Sequence, residues 1–330
     1  MNLICFDLEG PLAPQDNAYE LMKLFPGGDK FFELISRYDD LLTLEGRENY
    51  EPGDTLALIV PFLAGHDVTE EQIRLMGQEA GLTPGATELI SRLQALGWQV
   101  FCASTSYEQY ARAVTRRLEI PGMNVACTAF PLNQIRQLLR HEELTLLKKA
   151  EEQITAIDPS DDAMIKERLD YFYHQELPQR LPTATREMAK VKPVGGSRKV
   201  AALEHFAARM GKPLSQWVVV GDSITDFRML QAVNSSGGLA IAFNANEYAL
   251  PYCTMSLAST TLDDLGTVLK TWNGEIRAII EKLVREKEKA GGKGDRGYFH
   301  WLAGTDNIAS PLEVHRRIRR LVRKEAARLG

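Results

Sequence analysis

Asp7-Leu8-Glu9-Gly10-Pro11-Leu12 follows directly on the apolar run Leu3-Ile4-Cys5-Phe6. Far downstream, Gly221-Asp222-Ser223-Ile224-Thr225-Asp226 follows Trp217-Val218-Val219-Val220 in the same way. Short runs of this kind, rich in strand formers and without polar alternation, read as parallel strands buried on both faces. The carboxylates of Asp7, Glu9, Asp222 and Asp226 then lie at the carboxyl ends of the strands, the edge where open α/β sheets bind ligands. Acidic groups gathered there need a cation or a proton to neutralise them, and oxygen-only ligands suit Mg²⁺. The pattern points to a catalytic centre that handles phosphate.

The chain of 330 residues is 44% apolar and 25% charged, which suits a soluble globular protein with one large or two modest cores. Its formal charge of −5 and pI near 5.8 speak against nucleic-acid binding by bulk electrostatics. Cys5, Cys102, Cys127 and Cys253 form no CxxC pair, and Cys5 and Cys102 fall in buried strands, so a reducing compartment without a disulfide framework is expected. The N-terminus carries no basic region followed by an apolar stretch, and no run reaches the length of a membrane span. A cytoplasmic protein is expected.

After Leu12 helical periodicity replaces the strand pattern: Phe31, Leu34, Ile35, Tyr38 and Leu42 recur at helix spacing, then Ile73, Met76 and Ala80. Pro61 interrupts the apolar run from Leu56 to Leu63 as a helix end or kink. Residues 13–80 are therefore read as a helical cap inserted after the first strand. The α/β pattern resumes with a helix over 85–96, a strand Trp98 to Ala103 ending in Ser104-Thr105-Ser106, a helix Glu108 to Leu118 and a short strand near Val125 to Cys127. Residues 131–190 are charged, helix-prone and too long for a loop, a second helical insertion. A helix Arg198 to Met210, a strand 216–221, a helix Thr225 to Val233 and a strand Leu239 to Phe243 follow. Residues 262–330 read as a helical C-terminal extension, broken by the glycine-rich 291–297. The fold class is thus α/β: a doubly wound, Rossmann-like core with a mainly parallel sheet, made of 1–12, 81–130 and 191–261, plus helical caps.

Phosphoryl transfer needs a nucleophile, a proton-transfer group, a cation and donors to the phosphoryl oxygens. Asp7 is placed to attack phosphorus and form an aspartyl phosphate. Glu9 is near enough to protonate the leaving oxygen and then activate water. Asp222 and Asp226 complete the cation site, Asp226 through water or by orienting other groups.

These residues resemble the haloacid dehalogenase superfamily of aspartate-nucleophile phosphohydrolases, in particular its phosphoserine-phosphatase-like branch. Four motifs stand in order: Asp7-Leu8-Glu9-Gly10; a strand ending in Ser104-Thr105; a lysine opening a helix; and Gly221-Asp222-Ser223 with Asp226. The resemblance implies that Ser104, or less favourably Thr105, hydrogen-bonds a phosphoryl oxygen. Among Lys190, Lys192 and Lys199 it favours Lys199, whose Lys-x-x-x-Leu opens an amphipathic helix, to offset charge among Asp7, Asp222 and phosphate. It places Mg²⁺ on Asp7, Asp222, Asp226 and the backbone carbonyl of Glu9. Glu9 stands where Asp is commoner, Pro11 where Thr is usual and Thr225 where phosphoserine phosphatases carry Asn; the last difference speaks against phosphoserine itself.

The implied activity is Mg²⁺-dependent hydrolysis of a small phosphorylated metabolite. Phosphoryl transfer to a second alcohol is a variant, and dehalogenation is disfavoured. The first motif and the long insertions also resemble archaeal proteins labelled as an accessory subunit of an energy-converting hydrogenase, which leaves a non-catalytic subunit as the rival. Asp16 and Arg47 of the cap are candidates for contacting the substrate; the plainer readings are a helix cap for Asp16 and a solvated side chain for Arg47. The basic segment Pro311 to Leu329 sets Val314, Ile318, Leu321 and Val322 on one side and arginines on the rest. It reads as a helix packed on its own domain, with a partner contact as the alternative.

Overall fold

The computed structural model describes residues 1–66, 68–272, 274, 277–305 and 307–323. Seven strands form one sheet: β1 (Leu3–Phe6), β2 (Gln99–Tyr107), β3 (Val125–Thr128), β4 (Trp217–Gly221), β5 (Leu239–Phe243), β6 (Met255–Ala258) and β7 (Tyr298–Trp301). Their order is β3-β2-β1-β4-β5-β6-β7, with every neighbouring pair parallel except β6 and β7. This is the doubly wound α/β architecture expected. β1 lies at the centre, and its side chains alternate between two cores. Ile4 and Phe6 join one apolar cluster, and Leu3 and Cys5 join the other, with Phe101, Leu203 and Trp217.

The chain leaves this core twice. Residues 13–80 form the helices Asn17–Met22, Gly28–Glu45, Thr55–Leu58, Val60–Gly65 and Glu70–Glu79. Pro61 sits in the first turn of Val60–Gly65, where its missing N–H has no helical partner to lose. Residues 131–190 are helical as well, with a π turn at Phe172–Glu176 inside the run. The two insertions share one apolar core, in which Phe62 meets Phe31 edge-on and stacks on Phe172. Ion pairs from Arg37 to Asp162 at 2.6 Å and from Arg47 to Asp170 at 2.8 Å tie them at the surface.

The C-terminal part departs from the all-helical expectation. After the helix Arg277–Ala290 the glycine-rich stretch turns the chain back into β7, which pairs antiparallel with β6. The alternation that decides this is short: Phe299 and Trp301 are buried while Tyr298 and His300 are half-buried. β6 likewise lies beyond the last strand expected, and β2 continues through Ser104, Thr105 and Ser106 instead of ending at Ala103. The helix Ala309–Arg323 follows, and the rest of the basic segment, Lys324 included, lies outside the described residues. No helix among the described residues is long and apolar enough to cross a membrane.

Candidate functional site

The central strands set the site. The Asp7 backbone N–H donates to the Val220 carbonyl at 2.8 Å, so the residues that follow β1 and β4 emerge side by side at the carboxyl edge. Gly10 turns the chain with φ +94°, and a Cβ there would lie 2.6 Å from Asp222 Oδ1. The absent side chain is what lets the two acidic loops touch. Carboxylate oxygens of Asp7, Asp222 and Asp226 come within 4.8 Å of one another, and all three residues are buried.

Lys199, fully buried near the start of the helix Ser197–Met210, offsets part of this charge. Its ammonium lies 2.7 Å from Asp7 Oδ1 and 2.6 Å from Asp226 Oδ1. Burial works against the lysine's charge, but Asp226 and Asp7 outweigh it and hold the ammonium above its usual range. Lys190 is paired with Glu187 at the surface and Lys192 is exposed, so of the three lysines Lys199 is the one at the site.

Asp226 is committed to holding its neighbours. Its second oxygen accepts from the N–H groups of Asp222 at 2.9 Å and Ser223 at 3.1 Å. With Lys199 on the first oxygen, Asp226 orients the loop and the lysine, and a direct bond to a cation would cost it these partners. On Asp7, both Lys199 and the Leu8 N–H, at 2.8 Å, meet Oδ1. Burial first, then Asp226, raises the Asp7 carboxyl above its usual range against the pull of Lys199. Glu9 accepts from the Ser106 hydroxyl, and burial, with Asp16 adding to it, pushes its carboxyl up to about 7. A carboxyl near neutrality can both give and take a proton at physiological pH.

These groups open on a cavity of about 360 Å³ roofed by the first insertion, with Asp7, Glu9, Asp16, Thr105, Asp222 and Thr225 among its walls. Ser104 is fully buried, with its Oγ accepting from the Ser106 N–H at 3.1 Å, and Thr105 is the hydroxyl residue of that strand end that reaches the cavity wall. Asp16 lines the cavity while capping the helix Asn17–Met22 through Tyr19 N–H at 3.0 Å. Arg47 is not brought to the site. Asp170 of the second insertion holds its guanidinium, because a carboxylate there completes the seam between the two insertions.

Two residues of the site lay hidden in the sequence. Arg319 and Arg323, from the helix Ala309–Arg323, both reach Asp222 Oδ2, Arg323 at 3.2 Å. Arg319 also donates to the carbonyls of Asn244 at 3.2 Å and of Asp222 at 3.4 Å. This corrects the expected apolar side of the helix. The face turned inward is Pro311, His315, Ile318 and Arg319, whereas Leu321 is 51% exposed. The physical reason is Asp222, a buried carboxylate that Lys199 does not serve. The signal was present as two arginines four residues apart, flanking a face with a buried histidine, but arginine on a helix ordinarily reads as solvated.

The donor set suits a hard divalent cation: it is all oxygen, it converges from two strand ends, and Gly10 leaves the loops in contact. Asp7 and Asp222 are the side chains that would hold it. The guanidinium of Arg319 on Asp222 is the competing group.

No family model matches the sequence. Phosphoserine phosphatase from Homo sapiens is 31% identical over 126 residues, which is 37% of this chain and 51% of that protein. Phosphoserine phosphatase from Streptomyces coelicolor is 27% identical over 245 residues, 74% of this chain and 44% of that protein. The chain thus matches about half the length of these curated relatives or less. Gene product AF1437 from Archaeoglobus fulgidus superposes with a TM-score of 0.85 at 28% identity over 100% of this chain and 99% of its own. A phospho-aspartyl intermediate analogue of phosphoserine phosphatase shares the fold at a TM-score of 0.50 and 19% identity, over 81% of this chain and 97% of its own. The order of the motifs along the chain, their convergence at one sheet edge and these likenesses together support a haloacid dehalogenase, phosphoserine-phosphatase-like assignment.

Proposed function

We propose that the protein hydrolyses the phosphomonoester of a small metabolite through an aspartyl phosphate on Asp7, with Mg²⁺ as the cation. The observation that carries this reading is the pairing of two differently held carboxyls in one cavity. Asp7 is fixed by Lys199 and the Leu8 N–H, whereas Glu9 is held by the Ser106 hydroxyl and titrates near neutrality. Asp7 attacks phosphorus, and Glu9 delivers its proton to the departing alkoxide and later draws one from the water that cleaves the acyl phosphate. Lys199 keeps Asp7 oriented and opposes the charge that gathers on the phosphoryl oxygens, with Thr105 on the cavity wall as a hydroxyl donor. Mg²⁺ bound by Asp7 and Asp222 supplies charge neutralisation to the phosphoryl group. The relatives named as phosphoserine phosphatases support a phosphatase. The cavity is acidic on its cap side, at Asp16, Asp39 and Asp40, which favours a substrate whose far end is a hydrogen-bond donor or a cation.

The test is turnover of p-nitrophenyl phosphate with Mg²⁺. Asp7→Asn keeps the shape of the nucleophile without its reactivity, so turnover falls by several orders of magnitude while the fold, read by circular dichroism, is retained. Wild-type rates in that variant, or full activity in excess chelator, refute the mechanism.

A further inference from the structure

Each of the three clustered aspartates has a cation partner, but the partners come from different places. Asp7 and Asp226 share Lys199, which belongs to the α/β core. Asp222 receives Arg319 and Arg323 from a helix that follows the last strand of the sheet. Both guanidiniums meet the same oxygen, Oδ2, and both side chains are buried, at 5% and 8% exposure. With Lys199 they bring three fixed cations to the four carboxyls Asp7, Glu9, Asp222 and Asp226, so the cluster is almost neutral without any metal.

We propose that Arg319 is a tethered competitor of the divalent cation: it holds Asp222 in the resting protein and gives that carboxylate up when Mg²⁺ binds. The inference rests on the reading of Asp222 as a cation ligand. Two guanidiniums and a dication on one carboxylate would repel one another at close range in a buried site, so full metal binding and the present arginine geometry exclude each other. The exchange requires no movement of the helix. The backbone stays anchored where the Ala245 N–H donates to His315 Nδ1 at 2.8 Å and where Ile318 is fully buried, while a long arginine side chain changes rotamer. Arg319 and Arg323 both line the cavity, so space into which a displaced guanidinium can turn lies next to Asp222. Such an arrangement gives Asp222 a counter-charge that orients it, and it sets the Mg²⁺ concentration at which the site loads.

The proposal is tested without substrate by titrating Mg²⁺ against the full chain and following the thermal unfolding midpoint, which rises as metal binds the native state. Arg319→Gln is expected to have a lower midpoint in chelator than the wild type, and to reach half of its Mg²⁺-dependent rise at a concentration lower by about tenfold or more. Arg323→Gln shows a smaller shift in the same direction and serves if Arg319→Gln does not fold. Arg319→Lys, which keeps a cation, stays close to the wild type, as does Arg320→Gln on the exposed side of the helix. An unchanged or higher Mg²⁺ requirement in Arg319→Gln, or in Arg323→Gln should that variant have to stand in, overturns the proposal alone. An equal fall in Arg320→Gln also overturns it, by reducing the effect to general electrostatics. Absence of any Mg²⁺ response in every protein, Asp222→Asn included, overturns the proposal together with the metal assigned under the proposed function. Failure of the aspartyl-phosphate reading itself appears separately, in the turnover of Asp7→Asn.

Discussion

Gly10 and Asp222 meet where no side chain fits between them, so the two acidic motifs touch through backbone and carboxyl group. Gly10→Ala adds a Cβ at φ +94° and drives it against the Asp222 carboxyl group. The combined strain and overlap predict a loss of about 2–4 kcal/mol in stability, measured by urea unfolding. An unchanged midpoint would mean that Asp222 turns aside freely. At this scale the sequence was generous, because Asp7, Glu9 and Asp222 follow strand ends and Lys199 opens a helix, and the structure brings these four to one place. It was silent on Arg319 and Arg323, since nothing in a run of basic residues announces which of them will be drawn inward by a carboxylate 97 and 101 residues away. It was silent too on the Ser106 hydroxyl that holds Glu9, because its place depends on β2 running on past Ala103.

Among the elements, the helix Ala309–Arg323 depends on His315. Its imidazole is buried and accepts the Ala245 N–H on Nδ1, and burial pushes its pKa down from 6.5 to about 3. Below about pH 6.5 the unfolded chain takes up a proton that the native imidazole refuses. Stability therefore declines as the pH falls from there toward 3, and the contribution amounts to about 2 kcal/mol at pH 5. His315→Gln keeps an acceptor without titrating, so the loss of unfolding free energy between pH 7 and pH 5 should be smaller than in the wild type by about that amount. Equal losses would detach His315 from the acid sensitivity. Strands show the same limit on legibility as this helix. β1, β4 and β5 are continuous apolar runs and read directly, whereas β7 has four residues with two buried, too little pattern to stand out beside a glycine-rich turn.

For the whole molecule, the cap is latched to the core at the helix that carries Lys199. Glu51 accepts from the Ser197 hydroxyl at 2.6 Å and from its N–H at 3.2 Å, and Asp54 pairs with Arg198. Gly195 lies so close beneath Pro52 that a Cβ would strike the Pro52 carbonyl. Asp54→Asn weakens this partly buried pair, and amide exchange over 51–58 should quicken by about tenfold while β1 and β4 keep their protection. Equal quickening throughout would show that the contact supports the entire fold and not a lid. Two insertions were legible as helical from their periodicity, but the pairs that join them were not, because Arg37 finds Asp162 and Arg47 finds Asp170 only in three dimensions.

The central position of β1 bears on how the protein comes into being. A polypeptide is synthesised from its N-terminus, so β1 exists long before β4, the strand that covers its second edge and brings Asp222 and Asp226 beside Asp7. Until the ribosome has added Lys199 and then Arg319, the acids have no partners to be buried with. The early sheet of β1, β2 and β3 is then a half-built platform with one edge open to mispairing. Completion of the fold waits on contacts of very long sequence separation, which makes for slow folding and a need for protection while the nascent chain is unfinished.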